Sequence, residues 1–117
     1  MDTPIELKIQ DINNIAGSKI IRFIGDLDAT NVEQALKQVT DLFDAGFTKI
    51  VADFKKLRYV NSTGLGILLH ISRVVKEKEG CFKIANINEN VYEIIEIIGA
   101  TSLLEIHDTV ENAVASL

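Results

Sequence analysis

No tryptophan occurs in the 117 residues and aromatic side chains make up only 6%, so a core has to be assembled from Ile, Leu and Val. One proline and seven glycines exclude a collagenous or low-complexity chain. The single cysteine, Cys81, cannot form an internal disulfide, and together with two histidines it leaves no ligand set for a structural zinc ion. Both shortages suit a reducing cytoplasm, the expected localisation. Long apolar runs are missing too. Ile67-Leu68-Leu69 is among the longest, far below the ~18 residues a membrane span needs. Met1 to Gln10 carries acidic residues and no apolar stretch of signal-peptide length. Neither export nor direct membrane insertion is expected. Basic residues are outnumbered twelve to seventeen, and the net charge of -5 gives nucleic-acid binding no electrostatic footing.

What is present is an aliphatic chain, 47% apolar, sufficient for one buried core and read as a single domain over residues 1–117. Ile5 to Ile9 alternates as a half-buried strand does, and Lys19 to Ile24 reads as a second, with Asn13, Asn14 and Gly17 as turn residues between them. From Thr30 the period changes. Val32, Leu36, Val39, Leu42 and Phe43 fall on one helical face, and Gly46 ends the helix. Phe47 to Phe54 is a β-branched strand, and Thr63 to Glu79 a helix with Leu65, Leu68, Leu69, Ser72 and Val75 on one stripe, closed by Gly80. Cys81 to Ala85 is an interior strand with Cys81 a small buried hydrophobe, and Val91 to Ile98 a helix with Val91, Ile94, Ile95 and Ile98 inward. Ser102 to Ile106 is a last strand, and Asp108 with Glu111 begins the final helix like a capping box. This order predicts an α/β fold: a mixed, mostly parallel sheet with an antiparallel N-terminal strand pair and about four packed helices.

Tyr59-Val60-Asn61-Ser62-Thr63-Gly64-Leu65-Gly66 is the informative stretch, because it joins a strand to the first turn of a helix. Ser62 stands where an N-cap is expected, which accounts for a serine without any further role. Two glycines in the opening turns each cost roughly 0.5 to 1 kcal/mol relative to alanine and suggest that another backbone comes close. A helix N-terminus also tolerates a phosphate, whose charge alters the outer surface while leaving the fold intact.

Asn61-Ser62-Thr63-Gly64-Leu65-Gly66-Ile67-Leu68 resembles the D-S-[SAT]-G-L-G signature of anti-sigma factor antagonists, the bacterial STAS domains. Gly25-Asp26-Leu27-Asp28-Ala29 is similar to that family's G-[DE]-[LIV]-D segment, and Asn86-Ile87, Val91, Ile94-Ile95, Gly99 and Thr109 to Ala113 are similar to its C-terminal pattern. The resemblance implies a STAS-like fold and a binding protein that captures an anti-sigma factor, itself an ATP-dependent serine kinase, and so frees a sigma factor. It maps the phosphoacceptor onto Ser62, with Thr63 a neighbouring hydroxyl, and implies a separate serine phosphatase that restores capture. The implied docking surface comprises Asp26, Leu27, Asp28, Asn61, Ser62, Thr63, Gly64 and Leu65, with Asp26 and Asp28 in a loop and Leu27 and Leu65 as apolar support. Asn61 stands where the family usually has Asp, trading a charge for two donors. An alternative is an unphosphorylated STAS-type structural subunit of a signalling assembly or transporter complex.

Lys55, Lys56 and Arg58 form a basic cluster ahead of this stretch, read either as a solvated loop or as a local attraction for phosphate or an acidic partner. Enzymatic readings fit poorly. The first glycine of G-x-S-x-G is missing. His70 lies eight residues along the helix from Ser62, about 12 Å at 1.5 Å per residue, out of hydrogen-bond reach. Asp26 and Asp28 have the spacing of a Mg²⁺ pair, but such loop carboxylates more often cap or face solvent. No phosphate-binding glycine loop occurs, so no cofactor and no metal are expected. Asn61-Ser62-Thr63 matches the glycosylation sequon without a secretory signal to give it meaning. Nothing in the sequence demands more than a monomer.

Overall fold

The computed structural model describes residues 5–117. In chain order the elements are β1 (Glu6–Asp11), β2 (Ser18–Leu27), α1 (Val32–Asp44), β3 (Lys49–Val60), α2 (Ser62–Glu77), β4 (Cys81–Ala85), α3 (Glu89–Ile98), β5 (Glu105–His107) and α4 (Val110–Ala115). The five strands form one sheet in sequential order. β1 and β2 pair antiparallel, as a short turn allows, and every later pair is parallel because a helix intervenes. The expected α/β architecture, with its N-terminal antiparallel pair and four helices, is the one observed.

Side-chain alternation along the strands divides the interior in two. Ile50, Ala52 and Phe54 of β3 face a large core that also takes Phe23, Val39, Leu68, Ile71, Val91 and Ile95, so α1, α2 and α3 cover one side. Val51 faces the other way, into a smaller cluster with Ile20, Ala85 and Ala113 of α4. The few aromatics are placed at the centre: Phe23 and Phe54 meet edge to face, centroids 5.1 Å apart.

Several boundaries differ from the sequence reading. β3 runs on to Val60 where a strand ending at Phe54 was expected. The register explains it: Arg22 pairs with Asp53 but Ile24 with Lys56, and Gly25 with Leu57 but Asp26 with Tyr59, so β3 carries an extra residue at each of two places, and the first of these bulges breaks the apolar alternation without ending the strand. Lys55, Lys56 and Arg58 therefore lie on a strand and not in a loop, and Asp26 likewise lies on β2. In α3 Ile98 was expected inward, but it is 47% exposed, because the left-handed turn at Gly99 brings Ala100 into the core in its place. The last strand begins only at Glu105, after a turn in which Leu103 N–H donates to Ala100 O. The final helix is capped by Thr109, whose Oγ1 accepts from Asn112 N at 3.0 Å, and not by Asp108. Cys81 is only partly buried.

Candidate functional site

The C-terminal ends of β2 and β3 lie side by side, with Asp26 opposite Tyr59 and Leu27 opposite Val60. Parallel strands release their following segments at the same edge, so the β2–α1 loop and the start of α2 converge there. The backbone joins them directly: Asn61 N–H donates to Leu27 O at 3.2 Å. Gly64 makes this approach possible. A Cβ at that position would stand 2.5 Å from Leu27 O, so the close backbone contact inferred from the sequence is present. No such reason holds for Gly66, where a Cβ would meet nothing within 4 Å.

The N-cap of α2 is Asn61, in an extended conformation with its Oδ1 accepting from Gly64 N at 2.8 Å; Ser62, expected in that role, is the first helical residue. Asparagine and aspartate are equally good caps because each offers the required oxygen. Capping therefore explains why Asn61 serves where a carboxylate was the expected residue. Relieved of capping, Ser62 is exposed, as is Thr63, and the Ser62 hydroxyl has no hydrogen-bond partner among the described residues. It stands at a helix N-terminus with unpaired amides behind it.

Around Ser62 the carboxylates are held in defined places. Asp26 meets the Arg58 guanidinium through both oxygens, at 3.3 Å from Nε and 3.5 Å from Nη2. Asp28 Oδ1 accepts from Thr30 Oγ1 at 2.5 Å and from Thr30 N at 2.9 Å, and these hydrogen bonds, the hydroxyl first, hold its carboxyl below the usual range. The two acids do not form a cation cage, since each is engaged separately. Among the described residues no group of three or more His, Cys, Asp or Glu side chains is placed to hold a metal ion.

Of the eight residues assigned to the surface from sequence, three lie beneath it. Leu27 and Leu65 are 0% and 1% exposed and Gly64 is buried, so they support the exposed residues from below. Three residues that shape the site were missed. Buried Asn31 donates from Nδ2 to Asp26 O at 2.7 Å and accepts at Oδ1 from Asp28 N at 3.1 Å, fixing the loop between them. Its clue in the sequence is an Asn just ahead of a helical stripe. Asn88 donates to Leu57 O at 2.8 Å while capping α3, tying that helix to the end of β3. Tyr59 is 52% exposed and pairs with Asp26 across the strands.

Neither histidine attends Ser62. His70 Nδ1 is 3.3 Å from Arg73 Nη2, and His107 hydrogen-bonds Glu105 at 2.6 Å on β5, two strands away from β3. Neither imidazole is therefore paired with the Ser62 hydroxyl as a nucleophile and its histidine base would be. No helix of the described residues is long and apolar enough to cross a membrane.

The STAS domain model matches residues 6–113. The chain belongs to the STAS domain family. It is 26% identical over 102 residues to the anti-sigma F factor antagonist of Paenibacillus polymyxa, spanning 86% of this chain and 87% of that one. Among solved structures it is similar to the Thermotoga maritima protein tm1081, with a TM-score of 0.83, 21% identity and coverage of 96% of this STAS domain and 92% of that chain. It is also similar to SpoIIAA of Bacillus, an anti-sigma factor antagonist solved unphosphorylated and phosphorylated, with TM-scores of 0.71 and 0.70, 21% identity to each, 95% of this chain covered in both cases, and 96% and 98% of those chains. These structural likenesses establish the fold.

Proposed function

We propose that this STAS domain is an anti-sigma factor antagonist: it binds an anti-sigma factor that is a serine kinase, releases a sigma factor, and is switched off by phosphorylation of Ser62. The carrying observation is the exposed, unpartnered Ser62 hydroxyl at the N-terminus of α2, next to the ordered Asp26 and Asp28. The names of the curated relatives support the capture role, and the phosphorylated form of SpoIIAA supports a switch. In the step itself the kinase transfers the γ-phosphoryl group of ATP to Ser62 Oγ, and a phosphatase returns it to water. The added phosphate brings about -1.5 to -2 charges. Held at the helix N-terminus it leaves α2 folded, and it places further negative charge beside Asp26 and Asp28, so the charge presented to a partner changes and a steric obstacle stands at the centre of the surface.

Affinity co-purification with wild type and Ser62→Asp, followed by mass spectrometry, tests this. Recovery of an anti-sigma ATPase by wild type and its loss with Ser62→Asp is the expected result. Equal recovery of that ATPase by both proteins refutes the switch, and equal recovery of a large assembly or transporter by both replaces the reading with that of an unmodified structural subunit.

A further inference from the structure

The sheet face opposite α1, α2 and α3 carries a cavity of about 410 Å³, remote from the Ser62 chemistry and only partly overlain by α4. Its floor is set by strand register. Lys8 of β1 pairs with Arg22 of β2, and Arg22 with Asp53 of β3, so these three side chains form a row across neighbouring strands. The first bulge of β3 adds two more cations. Phe54 and Leu57 both remain in the core, so the extra residue leaves Lys55 and Lys56 both exposed, against the alternation of a regular strand. Four basic side chains from three strands thus line one concavity, with Asp53 and Glu111 as the acids and Ile24 and Val110 as apolar wall.

The acids offset only part of this set. Buried Asp53 is already engaged: its Oδ1 accepts from Lys55 N and Asn86 Nδ2, each at 3.0 Å, and its Oδ2 lies 3.5 Å from Arg22 Nε. Its role is to hold the bulge and orient Arg22. Lys55 and Lys56 have no ion-pair partner among the described residues, and Lys8 has only Glu6, at 4.0 Å and well exposed. The lining therefore carries two more positive than negative charges, in a chain whose net charge is -5. Such convergence of ammonium and guanidinium groups is unfavourable when empty and favourable around an oxyanion of more than one charge.

We propose that this cavity is a binding site for the phosphate group of a small phosphorylated molecule or a lipid headgroup, with Arg22, Lys55 and Lys56 as the principal contacts and Lys8 at the rim. The site is separate from the docking surface around Ser62, and its occupation does not depend on that reading.

The test is a titration of the isotope-labelled full chain with inorganic pyrophosphate, followed by amide chemical shifts, against sodium chloride of matched ionic strength. Saturable shifts at Lys8, Arg22, Lys55 and Lys56 are expected, with affinity weakened about tenfold or more in the Lys55→Gln/Lys56→Gln double variant, since two charge-assisted contacts are removed. Both side chains are exposed, so the variant keeps its fold, which unchanged shifts in α1 and α2 verify. A second arm sediments wild type and variant with phosphatidylglycerol or phosphatidylcholine vesicles. Pyrophosphate saturation without sedimentation assigns a soluble phosphate ligand, whereas sedimentation of wild type alone, with phosphatidylglycerol alone, assigns a headgroup. Shifts no different from those with chloride, or equal affinity in the variant, together with no selective sedimentation, overturn the proposal.

Discussion

Replacing Gly64 by alanine puts a methyl group where two chain segments already touch. Its Cβ would lie 2.5 Å from Leu27 O, 3.0 Å from Leu27 C and 3.1 Å from Leu27 Cγ, where ordinary contact begins at 3.4 Å. Relief requires α2 and β2 to separate by about 1 Å, the usual situation of an overpacked core. Neither side gives way easily, because Leu27 is fully buried and its carbonyl accepts the Asn61 N–H. Overpacking costs roughly 1 to 3 kcal/mol, while alanine recovers up to about 1 kcal/mol of helix propensity. From the middle of that range the balance is a loss of about 1 kcal/mol. Gly66→Ala, two residues further along the same helix, reverses the sign: with nothing within 4 Å of its Cβ it gains about 0.5 to 1 kcal/mol. Urea unfolding at equilibrium reads both, as a midpoint lowered for Gly64→Ala and raised for Gly66→Ala at unchanged slope. A midpoint raised by both variants would mean that helix propensity alone decides, and the close approach of α2 to Leu27 would have to be given up.

Asn61→Ala removes the cap of α2 and lowers stability by about 1 kcal/mol, whereas Asn61→Asp keeps the oxygen and stays within a few tenths; thermal midpoints that fall equally for the two would refute capping as the role of Asn61. Burial raises the Glu105 carboxyl, but hydrogen bonds from Lys83 and His107 outweigh it and leave the group below its ordinary 4.5. A depressed folded value means stabilisation that is present above the unfolded value and lost as pH falls through the folded one. Glu105→Gln should therefore flatten the acid limb of a stability–pH curve below about pH 4.5. At neutral pH it should cost about 1 to 2 kcal/mol, because buried Lys83 loses its counter-charge while Glu105 itself is half exposed. Identical acid limbs for the two proteins would contradict this. Burial, the largest influence on it, raises the Cys81 thiol, so disulfide-exchange labelling at pH 8 should be slower in the folded chain than in urea, and equal rates would place Cys81 in open solvent.

Periodicity was enough to read the order of elements from the amino-acid sequence. A two-residue repeat at Ile5 to Ile9 reports a strand, although Ile9 stays 47% exposed, and a helical repeat from Val32 to Phe43 reports which side of α1 is dry, a local property that needs no knowledge of partners. The mixed sheet followed from connection lengths, and the strand-to-helix junction holding Ser62 from its residue types. Where the chain departs from regular repeats, the outcome depended on neighbours distant in sequence. Lys55-Lys56 ends the apolar alternation and reads as a loop, yet the strand continues because Asp53 and Asn86 support a bulge against β2. Ser62 and Asn61 both have capping side chains, and the choice between them was made by Asn61 N–H reaching Leu27 O, which fixes where the helix can begin. Asn31 and Arg58 join the site only once β2 and β3 lie in register. Leu27 and Leu65 leave the surface for the same reason: the tertiary fold buries apolar side chains beneath the polar ones that a partner can touch.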